Sequence, residues 1–182
     1  MPRPRISVYI ATSLDGFIAR RDGRVDWLGA PPAGTHEDYG YGDFMATVDL
    51  IVMGRASFAM ALAFDTWPYP GMRVLVLSTH PVPIPPQLRD TVSSDSGAPA
   101  ELIGRPPMAG AKHVYMDGGI TVQRFLASGL VDEITVTSVP VLLGEGRPLF
   151  GGTGGDIALE HLSTRSWSNG YVQSAYRVRR DG

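Results

Sequence analysis

The stretch Asp49-Leu-Ile-Val-Met-Gly54-Arg55-Ala-Ser57 places a short apolar run directly before a glycine and a segment rich in Ala, Met and Leu. A buried strand followed by a helix produces this pattern, because four to eight apolar residues suit a strand that is covered on both faces. The stretch His113-Val-Tyr-Met-Asp117-Gly118-Gly119 has the same form and also precedes a helical segment. The two stretches predict an α/β fold whose helices begin just beyond the ends of buried strands.

Four short apolar runs predict the buried strands, at residues 6–11, 50–53, 74–77 and 114–116. Residues 55–64 and 120–128 are predicted as helices, and Gly129 is a typical stop signal after the second. A further helix is expected after Thr35, because Asp38 stands three residues later in a capping pattern.

The last part of the chain changes from alternating strands and helices to strands alone. Residues 133–139 alternate apolar and polar side chains, which predicts a half-exposed strand. Asn169-Gly170 separates residues 157–167 from residues 171–178 and predicts a hairpin, because a tight type I′ turn needs positive φ at both positions. The sequence therefore predicts a mixed sheet with a parallel centre and an antiparallel edge.

Composition narrows the classes of protein to consider. The chain has 182 residues, a formal net charge of −2 and no cysteine. This length predicts one domain over residues 1–182. No Lys/Arg run marks a nucleic-acid surface, and no apolar stretch approaches the roughly 20 residues of a membrane span, so we expect neither partner. The lack of cysteine excludes disulfides and thiolate metal sites, and it is compatible with a cytoplasmic location.

Gly54 and Gly118 each stand at the junction of a predicted strand and a predicted helix. A helix N-terminus offers unpaired N–H groups and the positive end of its dipole, both of which favour phosphate. Arg55 adds a cation that can hold two phosphate oxygens, and Ser57 adds a hydroxyl. Two such junctions on one sheet suit a dinucleotide. The alternative is that the glycines are there for steric reasons and that Arg55 pairs with a carboxylate.

Other chemistries have little support in the sequence. The four histidines are scattered without the paired spacing of metal ligands, so we expect no metal site. Neither the G-x-S-x-G elbow of serine hydrolases nor the G-x-x-x-x-G-K-[ST] phosphate loop is present.

Four motifs, in order along the chain, resemble the dihydrofolate-reductase-like superfamily. They are Ser13-Leu14-Asp15-Gly16-Phe17-Ile18-Ala19, Val52-Met53-Gly54-Arg55-x-Ser57, Val76-Leu77-Ser78 and Met116-Asp117-Gly118-Gly119. The resemblance runs from about residue 5 to the end of the chain. It is strongest toward the branch with the C-terminal reductase domain of the riboflavin biosynthesis protein RibD and its stand-alone relatives. It implies a three-layer α/β fold, with a mixed central β-sheet flanked by helices.

The resemblance also implies that NADPH binds across the central strands, with its nicotinamide end near Ala11 and Ile18. Arg55 favours NADPH over NADH, because it corresponds to a position that meets the 2′-phosphate. The positions that match cofactor contacts of the family are Ala11, Asp15, Gly16, Ile18, Gly54, Arg55, Ser57, Leu77, Ser78, Thr79, Asp117, Gly118, Gly119 and Val122.

Three further residues are candidates on the substrate side. Asp38 falls where dihydrofolate reductases keep their active-site carboxylate and would relay a proton, unless it only caps the following helix. Trp27 and Tyr41 would stack on a flat substrate ring, unless both belong to the core. Dihydrofolate reductases carry Pro-Trp and a three-glycine turn where this chain has Asp26-Trp27 and Asp117-Gly118-Gly119. These departures argue against dihydrofolate as the main substrate.

The function implied by the resemblance is reduction of a small heterocyclic or carbonyl/imine compound by NADPH. The 5-amino-6-(5-phosphoribosylamino)uracil reductase activity of RibD is the model for this expectation. The alternatives are a module that binds NADP(H) without catalysis, a dihydrofolate reductase, and a structural domain without a nucleotide. Relatives in this branch often form dimers, so a homodimer is expected, with the C-terminal strands as a candidate edge.

Overall fold

The computed structural model describes residues 3–29 and 36–180. In these residues the strands are β1 (Arg5–Ser13), β2 (Phe17–Ala19), β3 (Leu50–Gly54), β4 (Val74–Leu77), β5 (Val92–Asp95), β6 (His113–Asp117), β7 (Glu133–Val139), β8 (Arg147–Pro148), β9 (Leu159–Ser166) and β10 (Val172–Val178). The α-helices are α1 (Tyr41–Met45), α2 (Arg55–Leu62), α3 (Pro99–Leu102) and α4 (Gly119–Ala127). Short 3-10 turns occur at Asp26–Leu28, Pro86–Leu88 and Met108–Gly110.

Eight of the strands form one sheet in the order β5-β4-β3-β6-β1-β7-β10-β9. Neighbouring strands from β5 to β7 are parallel, whereas β10 pairs antiparallel with both β7 and β9. The predicted mixed sheet with a parallel centre is confirmed. β2 and β8 pair separately in a small antiparallel ribbon.

Two hydrophobic layers cover the two faces of the sheet. Phe125 of α4 is fully buried on one face among Ile6, Leu50 and Met116. Phe58 of α2 packs on the other face, where the partly buried aromatic residues of α1 also lie. Burial of a side chain of this size contributes roughly 1.5–3 kcal/mol, so each layer holds its helices firmly. The three-layer architecture is as predicted.

Some elements differ from the sequence-based prediction. The helix expected after Thr35 begins only at Tyr41, and Thr35 itself lies outside the described residues. β7 is not half-exposed throughout, because Thr137 is 5% exposed and accepts a hydrogen bond from Gln173 of β10. β2, β5, α3 and β8 have only two to four residues each, which is too short for a periodic pattern to indicate them.

The parallel strands end together at one edge of the sheet. Gly54 of β3 is level with Leu77 of β4, and Met53 is level with Asp117 of β6. Parallel α/β sheets bind ligands at the carboxyl ends of their strands. This edge, which we call the carboxyl edge, is where we look for a site.

The opposite end of the sheet holds a buried histidine that makes stability depend on pH. His113 is 6% exposed, and its ring nitrogens lie 2.8 Å from Ser7 Oγ and 2.9 Å from Thr47 Oγ1. Burial is the main cause that lowers the pKa of His113 below its usual value of 6.5. In acid the unfolded chain therefore takes up this proton before the folded chain does, so stability is lost as the pH falls below about 6.5.

We expect His113→Gln to flatten this dependence, since glutamine has similar hydrogen-bonding groups but does not titrate. Urea unfolding between pH 7.5 and pH 5 measures it. The free energy of unfolding of the wild type should fall more steeply with acid than that of the variant. Parallel curves for the two proteins would show that His113 is not the group responsible.

Candidate active site

A cavity of about 770 Å³ opens at the carboxyl edge. Its walls come from the ends of β1, β3 and β6, from α2, from the start of α4 and from the β2–β8 ribbon. Since the strands all end here, side chains that are far apart in the sequence meet around one space. We divide its lining residues into two groups. Those of the two strand–helix junctions form what we call the phosphate arm, and the mostly apolar residues of α2, of the segment after α2 and of the loop after β2 form what we call the substrate arm.

The phosphate arm is built from the two strand–helix junctions that the sequence indicated. Gly118 has a φ of +89°, and a Cβ atom built on it would lie 2.5 Å from Ser57 Oγ and 4.0 Å from Gly54 N. A Cβ atom on Gly119 would collide with the carbonyl oxygen of Pro148. The starts of α2 and α4 therefore come this close only because Gly118 lacks a side chain, and Gly119 likewise allows α4 to approach β8. Two sets of free helix N–H groups face the same space.

Two arginines flank this arm. Arg55 at the start of α2 and Arg124 of α4 line the main cavity and also a second cavity of about 230 Å³ beside it. Arg124 donates a hydrogen bond to the carbonyl oxygen of Gly97. Within the described ranges Arg55 pairs with no carboxylate, so the alternative of an ion pair for Arg55 has no support there.

The substrate arm is mostly apolar. Its walls are formed by α2, by the segment after α2 and by the loop after β2, with the side chains of Val25, Leu28, Met60, Phe64 and Tyr69. Phe64 is 54% exposed although it is a large apolar side chain. An exposed aromatic side chain on a concave wall is typical of a surface that contacts a ligand.

Among the described residues, Asp117 is the one that contributes a carboxylate to the wall of the main cavity. Burial raises the pKa of Asp117 from 3.8 to about 6, and a hydrogen bond from the backbone N–H of Gly118 partly opposes this shift. Burial raises the pKa of Tyr41 to about 12, and the negative charge of Asp117 contributes to this shift. Asp117 is thus a poorly hydrated acid that titrates close to neutral pH.

The structure brings most of the predicted cofactor residues together. Those that line the main cavity are Ala11, Ile18, Gly54, Arg55, Ser57, Leu77, Asp117, Gly118 and Gly119, and those that line the smaller cavity include Ser78 and Thr79.

Three predicted cofactor residues lie outside both cavity walls. Val122 of α4 is fully buried in the core. The Asp15 carboxylate accepts hydrogen bonds from Ser13 Oγ and from the N–H groups of Leu143 and Gly144. It therefore ties the β1–β2 turn to the loop before β8. Gly16 has a φ of +85° and supplies the turn itself.

Asp38 does not have the setting of a proton donor. It is exposed, lies outside the cavity lining, and accepts hydrogen bonds from the N–H groups of Gly40 and Gly42 at 2.9 Å and 2.8 Å. These bonds lower the pKa of Asp38, which keeps it ionised. The capping alternative describes its position, and the proton relay predicted for Asp38 has no support in this arrangement.

Trp27 and Tyr41 also lie behind the cavity wall. Trp27 is 8% exposed and packs with Val139 and Tyr171. Tyr41 is half-buried against Tyr9, with ring centroids 6.1 Å apart. The core alternative therefore describes both residues, since neither ring reaches the space that a substrate would fill.

Comparison with known proteins identifies the family. The chain is 33% identical over 145 residues to the uncharacterized protein YwjB of Bacillus subtilis, an alignment covering 79% of this chain and 80% of that protein. Residues 107–173 match the family described as RibD C-terminal domain. This chain belongs to the RibD C-terminal domain family. The resemblance inferred from the four motifs is confirmed.

Solved structures agree with the membership in the RibD C-terminal domain family. A putative riboflavin biosynthesis protein from Shewanella sp. PV-4 is 37% identical, with a TM-score of 0.89 over 97% of this chain and 99% of that one. The deaminase/5-amino-6-(5-phosphoribosylamino)uracil reductase of Thermotoga maritima is 13% identical, with a TM-score of 0.72 over 97% of this chain and 57% of that one. Dihydrofolate reductase from Enterococcus faecalis, complexed with NADP(H), is 15% identical, with a TM-score of 0.64 over 97% of both chains. The last two establish the dihydrofolate-reductase-like fold alone.

Sequence reasoning missed several side chains of this RibD-family cavity, among them Met60, Phe64, Tyr69, Arg124 and Arg147. Met60 lies on α2, and Phe64 follows it by four residues, just beyond the end of α2 at Leu62. The spacing of Met60 and Phe64 was the available signal, but it indicates a core face equally well. Among the described residues, none of the helices has the length and apolar character to cross a membrane.

Proposed function

We propose that this protein is an NADPH-dependent reductase that transfers a hydride to a small heterocyclic or carbonyl/imine compound. The observation that carries the proposal is the convergence of two glycine-led helix starts on one cavity, beside an arginine with no carboxylate partner in the described residues. A dinucleotide needs this combination of N–H groups, close backbone approach and positive charge.

The residues present fit the cofactor. Gly118 and Gly119 allow the start of α4 to pack closely, because an added Cβ atom would meet Ser57 Oγ or the carbonyl oxygen of Pro148. The start of α4 lines the cavity, so its free N–H groups suit a pyrophosphate there. Arg55 and Arg124, with Ser78 and Thr79, form a polar hollow suited to the 2′-phosphate. When bound, NADPH supplies the hydride, and the protein must orient the substrate, exclude water and provide a proton.

Replacing Arg55 by alanine should remove the preference for the phosphorylated cofactor. We expect the wild type to bind NADPH more tightly than NADH, because a charge-assisted contact to phosphate contributes about 1.5–3 kcal/mol. In Arg55→Ala the Kd for NADPH should rise at least about tenfold, to near the Kd for NADH. Fluorescence titration measures both constants.

Arg89→Ala is the matched control, because Arg89 is exposed and lies outside both cavity walls. Its affinities should equal those of the wild type. If the wild type bound neither cofactor, the reductase proposal would be wrong.

We further propose Asp117 as the proton donor. Its pKa of about 6 leaves part of the population protonated near neutral pH. Asp117 directly precedes Gly118 of the phosphate arm. Burial raises the pKa of Tyr69 in the substrate arm, and the negative charge of Asp117 contributes to this shift. Binding of a cofactor and a substrate removes water from this space, which favours the neutral acid still more. The apolar wall with Phe64 and Tyr69 suits a flat ring.

Asp117→Asn should slow hydride transfer by roughly 100-fold or more, since asparagine cannot give up a proton. The wild-type rate should fall as the pH rises above about 6, because the acid form of Asp117 is lost. The rate of the variant should not show this fall. Single-turnover loss of NADPH absorbance, with a substrate chosen by screening heterocyclic and carbonyl compounds, gives the pH profile.

Asp38→Asn is the control for this experiment, because it removes the other candidate carboxylate and keeps a side chain able to cap α1. Its profile should match that of the wild type. A fall in rate that vanished in Asp38→Asn and persisted in Asp117→Asn would reverse the assignment.

The rival function is an NADP(H)-binding module without catalysis. The open substrate arm and a poised acid beside it support the enzyme, because a module that only bound the cofactor would need neither. Dihydrofolate reductase is a weaker candidate, since its carboxylate would have to be Asp38, which lies outside the cavity lining.

We also propose that the protein acts in the cytoplasm as a homodimer. Leu159 and Leu162 on the edge strand β9 are 41% and 40% exposed, and Val172 on the adjacent strand β10 is 40% exposed. An edge with such side chains favours pairing. Light scattering should give twice the chain mass, and Leu162→Glu should shift it toward that of a monomer. A monomeric wild type at micromolar concentration would contradict the proposal.

A further inference from the structure

Arg147 is a third arginine at the main cavity, and it lies on neither α2 nor α4. It belongs to β8 and is level with Ala19 of β2 in the β2–β8 ribbon. Its side chain is half-buried and lines the cavity, together with Gly23 and Gly146. The ribbon also touches the phosphate arm, because Gly119 of α4 lies against Pro148 and Ile18.

The guanidinium of Arg147 has few protein partners. Its Nε donates one long hydrogen bond, 3.4 Å, to the carbonyl oxygen of Arg21. It lies flat against Gly23, where a Cβ atom would be 3.3 Å from both Nη atoms. Gly23 has a φ of +93° and is buried beneath this group. The terminal nitrogens thus remain available for a ligand in the cavity.

The neighbouring arginines are all paired. Arg20 contacts Asp26 at 2.8 Å, Arg21 contacts Glu145 at 2.9 Å, and Arg24 contacts Asp22 at 2.7 Å. Arg147 forms no ion pair with any described carboxylate, although it is less exposed than Arg21 and Arg24. A partly buried cation without a counterion is costly, so a counterion that arrives with the ligand accounts for its position.

We propose that Arg147 binds a phosphoryl group of the ligand held in this cavity. The inference rests on the proposed function, and it assigns to the β2–β8 ribbon a part in binding. Three arginines and one carboxylate line the main cavity in the described residues, which favours an anionic ligand. The planar guanidinium fork matches two phosphate oxygens at once. The group is either the pyrophosphate of NADPH or a phosphate ester on the substrate.

The test compares the wild type, Arg147→Gln and Arg21→Gln in full-length chains. Arg21→Gln is the matched control, because it removes the same charge from the adjoining loop and its side chain is 74% exposed. Each protein is titrated with NADPH and with inorganic pyrophosphate. Thermal unfolding then measures the stabilisation that ribose 5-phosphate adds to the NADPH-saturated protein. Unfolding midpoints without ligand verify that the variants fold.

If Arg147 meets the cofactor, Arg147→Gln raises the Kd for NADPH about tenfold, and Arg21→Gln leaves it within about twofold. If it meets a substrate phosphate, the Kd for NADPH is unchanged and the stabilisation by ribose 5-phosphate disappears in Arg147→Gln alone. Equal behaviour of Arg147→Gln and the wild type with all three ligands overturns the inference.

Failure of the proposed function gives a different result. In that case the wild type does not bind NADPH at all, and the pyrophosphate titration decides the role of Arg147. Weaker pyrophosphate binding in Arg147→Gln than in the wild type supports a phosphoryl site. Equal binding, or none in either protein, overturns it.

Discussion

The close approach of the starts of α2 and α4 is the constraint on which the rest of the site depends. Gly118 lies so near Ser57 that a single carbon atom added to Gly118 would displace the Ser57 hydroxyl. Parallel pairing of β3 with β6 sets this distance, because it places Met53 level with Asp117. The sheet therefore fixes the separation of two helix N-termini, and Gly118 allows them to lie this close.

Charge is distributed over the cavity in a way that matches two different tasks. Arg55 and Arg124 stand on the two helices that begin at the phosphate arm, whereas the wall of the substrate arm is apolar. Asp117 directly precedes Gly118 of the phosphate arm, and the loss of water around it raises its pKa to about 6. In the proposed reaction, a cation near an anionic cofactor would favour binding, and an acid near an apolar ring would favour proton transfer.

The fold could be predicted from the sequence to a large extent, because its central strands are buried on both faces and are therefore continuous apolar runs. Gly54, Arg55 and Gly118 could be predicted as cavity residues since strand–helix junctions have a local signature. Asp38 could not be placed in the same way. A carboxylate that caps a helix and one that serves a substrate have the same local sequence, and only the distance from the cavity separates them. Arg147 and Phe64 could not be predicted as cavity residues. Their place in the cavity wall depends on their exposure in the folded chain, and no local sequence pattern indicates that exposure.

The order of residues in β6 has a consequence for how such a site can change over time. The proposed acid and the two glycines at the start of α4 are consecutive, at Asp117, Gly118 and Gly119. Under the proposed function, an insertion or deletion here would remove cofactor binding and proton supply together, so neither could change without the other. Met60 on α2 and Phe64 in the segment after it have no such double role. New substrates would therefore be acquired through α2 and that segment, while the end of β6 stays the same.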